Sequence, residues 1–223
     1  METSEAKRKR VVQILRILHG LYPHAKLALA FSNPLELLIA LILAAQARDE
    51  LVNLVTPSLF SRYRRAADWA AVPEEQLQNE LRKINFYRNK TRAIQKACRA
   101  LMDQFGGKVP DRLDELLSLP GVGRKTANIV LGNAFGQPAI GVDTHVGRVS
   151  GRLGLTAQTD PDKIEADLLE LVPEPDRVSF CHLLQAHGRA VCTARNPGCT
   201  RCSLRDLCPY PTGSLPSPPA GGI

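Results

Sequence analysis

The chain has 223 residues, and its 29 Lys and Arg against 22 Asp and Glu give a formal net charge of +7. That length can bury the core of one large domain or two small ones, and the positive charge favours a polyanionic partner such as nucleic acid. The longest apolar run, residues 37–45, is about half of the ~20 residues that a membrane-spanning helix needs. The composition therefore argues against a membrane protein and predicts a cytoplasmic one.

The basic first ten residues lead into a predicted amphipathic helix, not into the apolar stretch of a secretory signal. Gly20 is predicted to end this helix, whose apolar stripe consists of Val11, Ile14, Leu15, Leu18 and Leu21. Asn33 is predicted to cap the next helix, in which Pro34 is the first residue and Glu36 reaches back to the cap. Residues 37–45 make this second helix a buried one.

A second apolar stripe predicts a further helix that ends at Gly106 and Gly107, and its residues are Ile94, Ala97, Cys98, Leu101 and Phe105. Asp160 and Pro161 predict another helix start. Helical spacing recurs along nearly the whole chain, and no alternating strand pattern is present. The sequence thus predicts an all-α fold of about ten helices.

Two predicted helices are joined by a glycine turn at Gly121-Val122-Gly123. Pro120 helps to end the first helix, and the second begins near Arg124. Glycines at such a turn permit positive φ, so that backbone N–H groups at the start of the second helix can point at a phosphate. The pattern from Leu119 to Ala127 is typical of a helix-hairpin-helix motif that holds one DNA strand by its backbone.

Lys125 lies in the first turn of that second helix. It is a candidate Schiff-base nucleophile, and the alternative is a lysine that binds phosphate. Eighteen residues further on, Asp143 or Thr144 is predicted to cap another helix. If Asp143 and Lys125 face one cleft, they form an acid–amine pair suited to chemistry at an anomeric carbon.

Four clustered cysteines, Cys192, Cys199, Cys202 and Cys208, are separated by six, two and five residues and predict one metal site. Spacing alone leaves zinc and an iron–sulfur cluster open, with zinc the first choice. The neighbouring arginines either bind phosphates or offset the charge of a tetrathiolate site; they are Arg189, Arg195, Arg201 and Arg205. Cys98 and Cys181 are predicted to be buried core residues.

The sequence resembles bacterial endonuclease III, of the helix-hairpin-helix glycosylase superfamily. The resemblance rests on three features in the same order along the chain: the 119–127 motif, Val142-Asp143-Thr144-His145 and the cysteine spacing. The resemblance also takes in residues 37–49 and 84–90. It implies a six-helix barrel over residues 27–137, a second helical domain made of 1–26 and 138–208, and a mobile tail at 209–223. It also implies a 4Fe–4S cluster on the four cysteines, against the preference for zinc, and a bacterial protein associated with the nucleoid.

The same resemblance implies a bifunctional DNA glycosylase and AP lyase that removes oxidised pyrimidines from duplex DNA and cleaves at abasic sites. A monomer is expected, because the cleft of such a protein must clasp duplex DNA. Lys125 and Asp143 match its catalytic residues, and Gln46 matches its gap-filling glutamine. Phe86 stands where the family has a leucine that enters the opposite DNA strand as a wedge. Two further residues depart from the family pattern: Asn85, where glycine is usual, and Arg48, where a small hydroxyl residue is usual. Further DNA contacts are expected at Gly121, Val122, Gly123, Arg124, His145 and Arg195.

Two other functions fit part of the sequence. An adenine glycosylase shares the cysteine pattern, but it typically has serine or another residue in place of Lys125, and it carries a further domain after the cysteines. A non-catalytic DNA-binding protein could use the hairpin and the metal site as scaffold, and it would need neither Lys125 nor Asp143.

Overall fold

The computed structural model describes residues 2–210, and within that range the chain forms eleven α-helices and three short 3-10 helices, with no β-strand. The predicted all-α fold is therefore confirmed. From residue 211 onward, the predicted mobile tail lies outside the described residues. The chain divides into two compact units, one spanning Leu27–Gln137 and the other drawn from Met1–Lys26 and Pro138–Ile223.

The Leu27–Gln137 unit is a helical bundle around a central apolar helix. That central helix, α2, is buried on most of its circumference and contacts α3, α6 and α8, as expected of a helix that is apolar all round. Its predicted start is confirmed, because the Asn33 side chain accepts a hydrogen bond from the Glu36 N–H and Pro34 is the first helical residue. The helices of this unit are α2 (Pro34–Ala44), α3 (Asp49–Arg62), α4 (Ala66–Ala71), α5 (Glu74–Leu81), α6 (Tyr87–Phe105), α7 (Leu113–Ser118) and α8 (Arg124–Ala134).

The other unit packs its helices around a separate apolar core that includes Val11, Ile14, Val146, Leu168 and Phe180. Its long helices are α1 (Ser4–Leu21), α9 (Thr144–Arg152), α10 (Pro161–Leu171) and α11 (Arg177–Ala190). The three 3-10 helices span Glu174–Asp176, Cys199–Arg201 and Arg205–Leu207. As predicted, Asp160 caps α10 and Pro161 is its first residue.

The prediction that α1 ends at Gly20 is wrong. The helix runs through Gly20 to Leu21, and its C-cap is Tyr22, whose N–H donates to the Leu18 carbonyl. Pro23 accounts for the shift, because a proline disfavours helical geometry in the residue before it. Leu21 also departs from the predicted apolar stripe, since 47% of its surface is exposed.

Candidate functional site

The glycine turn between α7 and α8 has the predicted hairpin geometry. Gly121 adopts a φ of +82°, which favours glycine. Val122 lies between the two exposed glycines, its side chain is buried, and its N–H donates to the Leu119 carbonyl at 3.1 Å. Val122 thus anchors the turn, whereas Gly121 and Gly123 present backbone to the surface.

The start of α8 has the form of an anion-binding helix end. Gly123 is the N-cap residue and supplies no side-chain cap, and the first N–H groups of a helix lack intrahelical acceptors. Lys125 is the second helical residue and its side chain is exposed. Among the described residues, no hydrogen bond or ion pair engages its Nζ. Lys125 is therefore accessible to a ligand held at this helix end.

Two exposed loops of the same unit carry unusual backbone conformations. Gln46 and Phe86 have φ values of +54° and +57°, and within residues 2–210 they are the only non-glycine residues at positive φ. Phe86 is 60% exposed, so its ring is not part of the core. The Asn85 side-chain amide lies 3.5 Å from the Gln46 carbonyl. Such strain persists only where the surroundings enforce it, and it concentrates at functional sites.

In the other unit, Asp143 is the N-cap of α9. Its Oδ1 accepts hydrogen bonds from the N–H groups of His145 at 2.9 Å and Val146 at 2.7 Å. Its Oδ2 lies 3.7 Å from His145 Nδ1, and the side chain is 20% exposed. Of the two predicted caps, Asp143 is correct and Thr144 is the first helical residue. The cap orients the carboxylate through two backbone bonds.

The four clustered cysteines line one small pocket between α9, the end of α11 and the two 3-10 helices that follow. Each is partly exposed. Burial raises the pKa of the Cys202 and Cys208 thiols, because it disfavours the charged thiolate and favours the protonated thiol. A metal centre displaces such protons when it binds. Within the described range, no group of three or more His, Cys, Asp or Glu side chains has the arrangement needed to hold a single metal ion.

Two polar residues that the sequence analysis missed contact these sulfurs. The Arg152 guanidinium lies 3.4 Å from Cys192 Sγ and also donates to the carbonyls of Thr193 and Ala194. His187 Nε2 lies 3.5 Å from Cys202 Sγ, and burial lowers the pKa of its imidazole. The groups around ligating sulfurs orient them and tune the metal.

Tyr22 and Arg148 extend this shell. The Tyr22 hydroxyl lies 3.2 Å from His187 Nδ1, and a bond donated to Nδ1 leaves the Nε2 hydrogen to face the Cys202 sulfur. Arg148, one turn before Arg152 on α9, donates to the carbonyls of Cys192 and Gly188. The one sequence signal for this shell was the i, i+4 spacing of the two arginines, which places them on one helix face.

The remaining cysteines and arginines have simple environments. Cys98 and Cys181 are buried, as predicted, and burial raises the pKa of each thiol to about 12. The four arginines near the cysteines are exposed; they are Arg189, Arg195, Arg201 and Arg205. The longest helices of residues 2–210 are too polar to span a membrane.

The family model described as HhH-GPD superfamily base excision DNA repair protein matches residues 39–174. The endonuclease III of Synechocystis sp. is 50% identical over 205 residues, which cover 92% of this chain and 94% of that protein. The endonuclease III of Bacillus subtilis is 46% identical, covering 90% of this chain and 92% of that protein. For the Escherichia coli K12 enzyme the values are 42%, 92% and 96%.

Solved structures give the same result. A trapped endonuclease III–DNA covalent intermediate superposes with a TM-score of 0.87 at 44% identity, covering 96% of this chain and 99% of that one. A non-covalent endonuclease III–DNA complex has the same TM-score and identity, with 96% and 98% coverage. A thermostable thymine-DNA glycosylase, 24% identical with a TM-score of 0.84, shares the fold over 95% of this chain and 100% of that one.

Proposed function

Since this chain belongs to the endonuclease III family, within the HhH-GPD superfamily of base excision DNA repair proteins, we propose that Lys125 and Asp143 are the catalytic residues of a bifunctional DNA glycosylase and AP lyase. Its substrate is duplex DNA that contains an oxidised pyrimidine or an abasic site. One observation carries the proposal: Lys125 is exposed in the first turn of a hairpin helix, in a chain that resembles, over 96% of its length, an endonuclease III trapped covalently on DNA.

Lys125 is the nucleophile in this proposal. Its neutral Nζ attacks the anomeric carbon of the damaged nucleotide, and the base leaves with the electron pair of its bond to that carbon and takes up a proton. The bond from the anomeric carbon to the ring oxygen then breaks, the oxygen takes the proton that Nζ loses, and a Schiff base forms. β-Elimination removes a proton from C2′ of the sugar and expels the 3′ phosphate, which breaks the strand on its 3′ side. Support comes from the exposure of Lys125 and from its Nζ, which no side chain of the described range holds in an ion pair.

Asp143 stabilises the positive charge that builds on the sugar as the base leaves. A carboxylate at a helix N-terminus is favoured by the helix dipole, and two backbone N–H groups hold the Asp143 side chain in one orientation. A preorganised charge of this kind lowers the barrier because it does not need to reorient during the reaction.

Base extrusion is assigned to the two strained loops. An enzyme that acts on a base inside a duplex must take the nucleotide out of the stack, and the vacated space must be filled. Gln46 fills the gap, and Phe86 enters the opposite strand as a wedge. Their exposure and their left-handed backbone conformations support these roles.

The DNA backbone is held at the start of α8 and at two further residues. Gly121, Gly123 and Arg124 bind phosphate at that helix start, and Val122 anchors their turn in the core. His145 and Arg195 add phosphate contacts. The exposure of Arg195 and the positive net charge of the chain support this assignment.

The metal centre that we propose is a 4Fe–4S cluster held by Cys192, Cys199, Cys202 and Cys208. Four cysteine sulfurs around one pocket suit a cluster in which each iron binds one protein thiolate. When bound, the cluster would cross-link the chain between Cys192 and Cys208, which contains three of the exposed arginines. Arg152 offsets the charge of the sulfurs, His187 lies beside Cys202 Sγ, and Arg205 lies at the same pocket.

We further propose that the protein acts as a monomer on the nucleoid in a bacterial cytoplasm. The relatives named above are bacterial proteins. A single chain suffices, because the proposed catalytic, wedging and cluster-binding residues all belong to one polypeptide. Sedimentation of the free protein and of its complex with a short duplex tests this part.

Borohydride trapping tests the chemistry. The protein is mixed with a duplex that contains an abasic site, and the Schiff base is reduced to a stable covalent complex. The wild-type protein is expected to trap, and Lys125→Gln is expected to lose trapping while still binding the duplex. Lys163→Gln is the matched control, because Lys163 is an exposed lysine in the first turn of α10.

Each failure identifies another function. A wild-type protein that binds the duplex without trapping or base release is a non-catalytic DNA-binding protein. Release of adenine from a duplex that contains a mispaired adenine, without trapping on the abasic duplex, indicates an adenine glycosylase. Loss of binding in Lys125→Gln indicates a phosphate-binding lysine, and the nucleophile assignment is then wrong.

A further inference from the structure

Lys90 is a charged residue in the core of the Leu27–Gln137 unit, only 6% exposed. Its Nζ donates to the Leu43 carbonyl at 2.8 Å, and within the described residues this carbonyl is its one acceptor. Burial lowers the pKa of its ammonium group. A lysine is seldom buried without a carboxylate partner, because removing its charge from water is unfavourable. A simple packing role would be filled more favourably by an apolar side chain.

The bond between Lys90 Nζ and the Leu43 carbonyl joins the two helix ends that flank the strained loops of Gln46 and Phe86. Leu43 is in the last turn of α2, whose terminal carbonyls lack intrahelical partners, and Gln46 follows two residues after that helix ends. At the other end of the link, the Lys90 N–H donates to the Phe86 carbonyl at 3.1 Å in the first turn of α6. Lys90 therefore connects the end of α2 to the start of α6.

A second contact joins the loops nearer their tips. The Asn85 side-chain amide lies 3.5 Å from the Gln46 carbonyl, a long and weak bond. The shorter Lys90 bond is thus the stronger of the two links, and its positive charge faces the negative end of the α2 dipole. The positive φ angles of Gln46 and Phe86 require support of this kind from their surroundings.

We propose that Lys90 is a positioning residue, whose bond to the Leu43 carbonyl holds the Gln46 and Phe86 loops in register so that both side chains enter the duplex together. This inference rests on the proposed function. Loss of the bond is expected to slow extrusion of the damaged nucleotide. It leaves the chemistry of Lys125 intact on a substrate that needs no extrusion.

The test compares two substrates in single-turnover experiments on the full-length holoprotein. One is a duplex with an oxidised pyrimidine next to 2-aminopurine, whose fluorescence reports unstacking. The other is a single-stranded abasic oligonucleotide, trapped with borohydride. The ratio of the two rates is the readout, because a partly unfolded preparation lowers both rates equally.

Lys90→Met is expected to slow base release and unstacking in the duplex by roughly ten- to a hundredfold, the scale on which a misplacement of about 1 Å acts. The rate of trapping on the single strand should stay within about twofold of the wild-type rate, because that substrate needs no extrusion and the misplacement does not affect it. Lys90→Gln leaves a polar group in the buried site and is expected to show the same selective loss. It replaces Lys90→Met in the test if that variant fails to fold.

Gln95→Met is the matched control. Gln95 is also buried on α6, and its Nε2 donates to the Val72 carbonyl at 2.7 Å, outside the two loops. Its loss should lower stability without changing the ratio of the two rates. The inference is overturned if Gln95→Met lowers the ratio as much as Lys90→Met, or if the Lys90 variants lose both activities equally. A wild-type protein that never traps refutes the proposed function instead.

Discussion

Replacement of Asp143 by Asn or Ala separates its role in chemistry from its role as a helix cap. Its Oδ1 accepts from the N–H groups of His145 and Val146, and the amide oxygen of Asn can accept the same two bonds. Asp143→Asn should therefore keep its thermal stability. Loss of the charge should slow base release by roughly 10²–10⁴-fold, the usual scale for one charge-stabilising or proton-transferring group.

Asp143→Ala should lose the cap as well as the charge. Loss of a cap destabilises a protein by about 0.5–2 kcal/mol, and a chain of this size loses roughly 2–4 °C of melting temperature per kcal/mol. The melting temperature should therefore fall by about 1–8 °C, the product of those two ranges. Asp160 is the control, because its Oδ1 caps α10 through two N–H bonds at 2.9 and 3.1 Å. Asp160→Ala should lower stability by a similar amount without slowing base release per folded molecule.

The assay measures base release from a damaged duplex beside strand cleavage at a preformed abasic site. No glycosidic bond remains to break at the abasic site, so Asp143→Asn should lose less activity there. Equal losses on the two substrates would mean that Asp143 acts mainly by deprotonating Lys125, and the charge-stabilising role would then be wrong. Normal base release by Asp143→Asn would leave Asp143 with the cap alone.

Three further predictions concern the cluster, the wedge and a buried histidine. Protein purified without added metal should hold about four irons per chain; Cys199→Ser should lose them and Cys98→Ala should keep them, whereas one zinc without sulfide in the wild type would refute the cluster. Phe86→Ala should weaken productive binding of lesion DNA by about ten- to a hundredfold, the value of one base–aromatic stack; an early melting transition with normal activity would instead indicate a packing role. Burial lowers the pKa of His182 in the folded chain, so protons bind the unfolded chain more readily below about pH 6.5, the ordinary value for histidine. Stability should fall as the pH drops through that value, by up to about 1.4 kcal/mol per pH unit, and His182→Gln should flatten this part of the melting profile; an unchanged profile would contradict it.

The sequence by itself determined the features that depend on neighbouring residues. The caps at Asn33, Asp143 and Asp160 and the left-handed Gly106 that ends α6 lie where they were predicted. Each involves groups within about four positions along the chain, so residue type and spacing specify it. The error at Gly20 has the same local origin, because Pro23 and not the glycine decided where α1 ends.

Only the tertiary structure decided which distant residues meet. Lys90 and Leu43 are 47 residues apart, Tyr22 and His187 are 165 apart, and neither pair belongs to a sequence motif. The positive φ angles of Gln46 and Phe86 are likewise invisible in residue types that rarely adopt them. Periodicity shows which face of a helix is buried, but the partner of that face depends on how the helices pack. Hydrogen bonds between packed helices therefore appear only once the fold is formed.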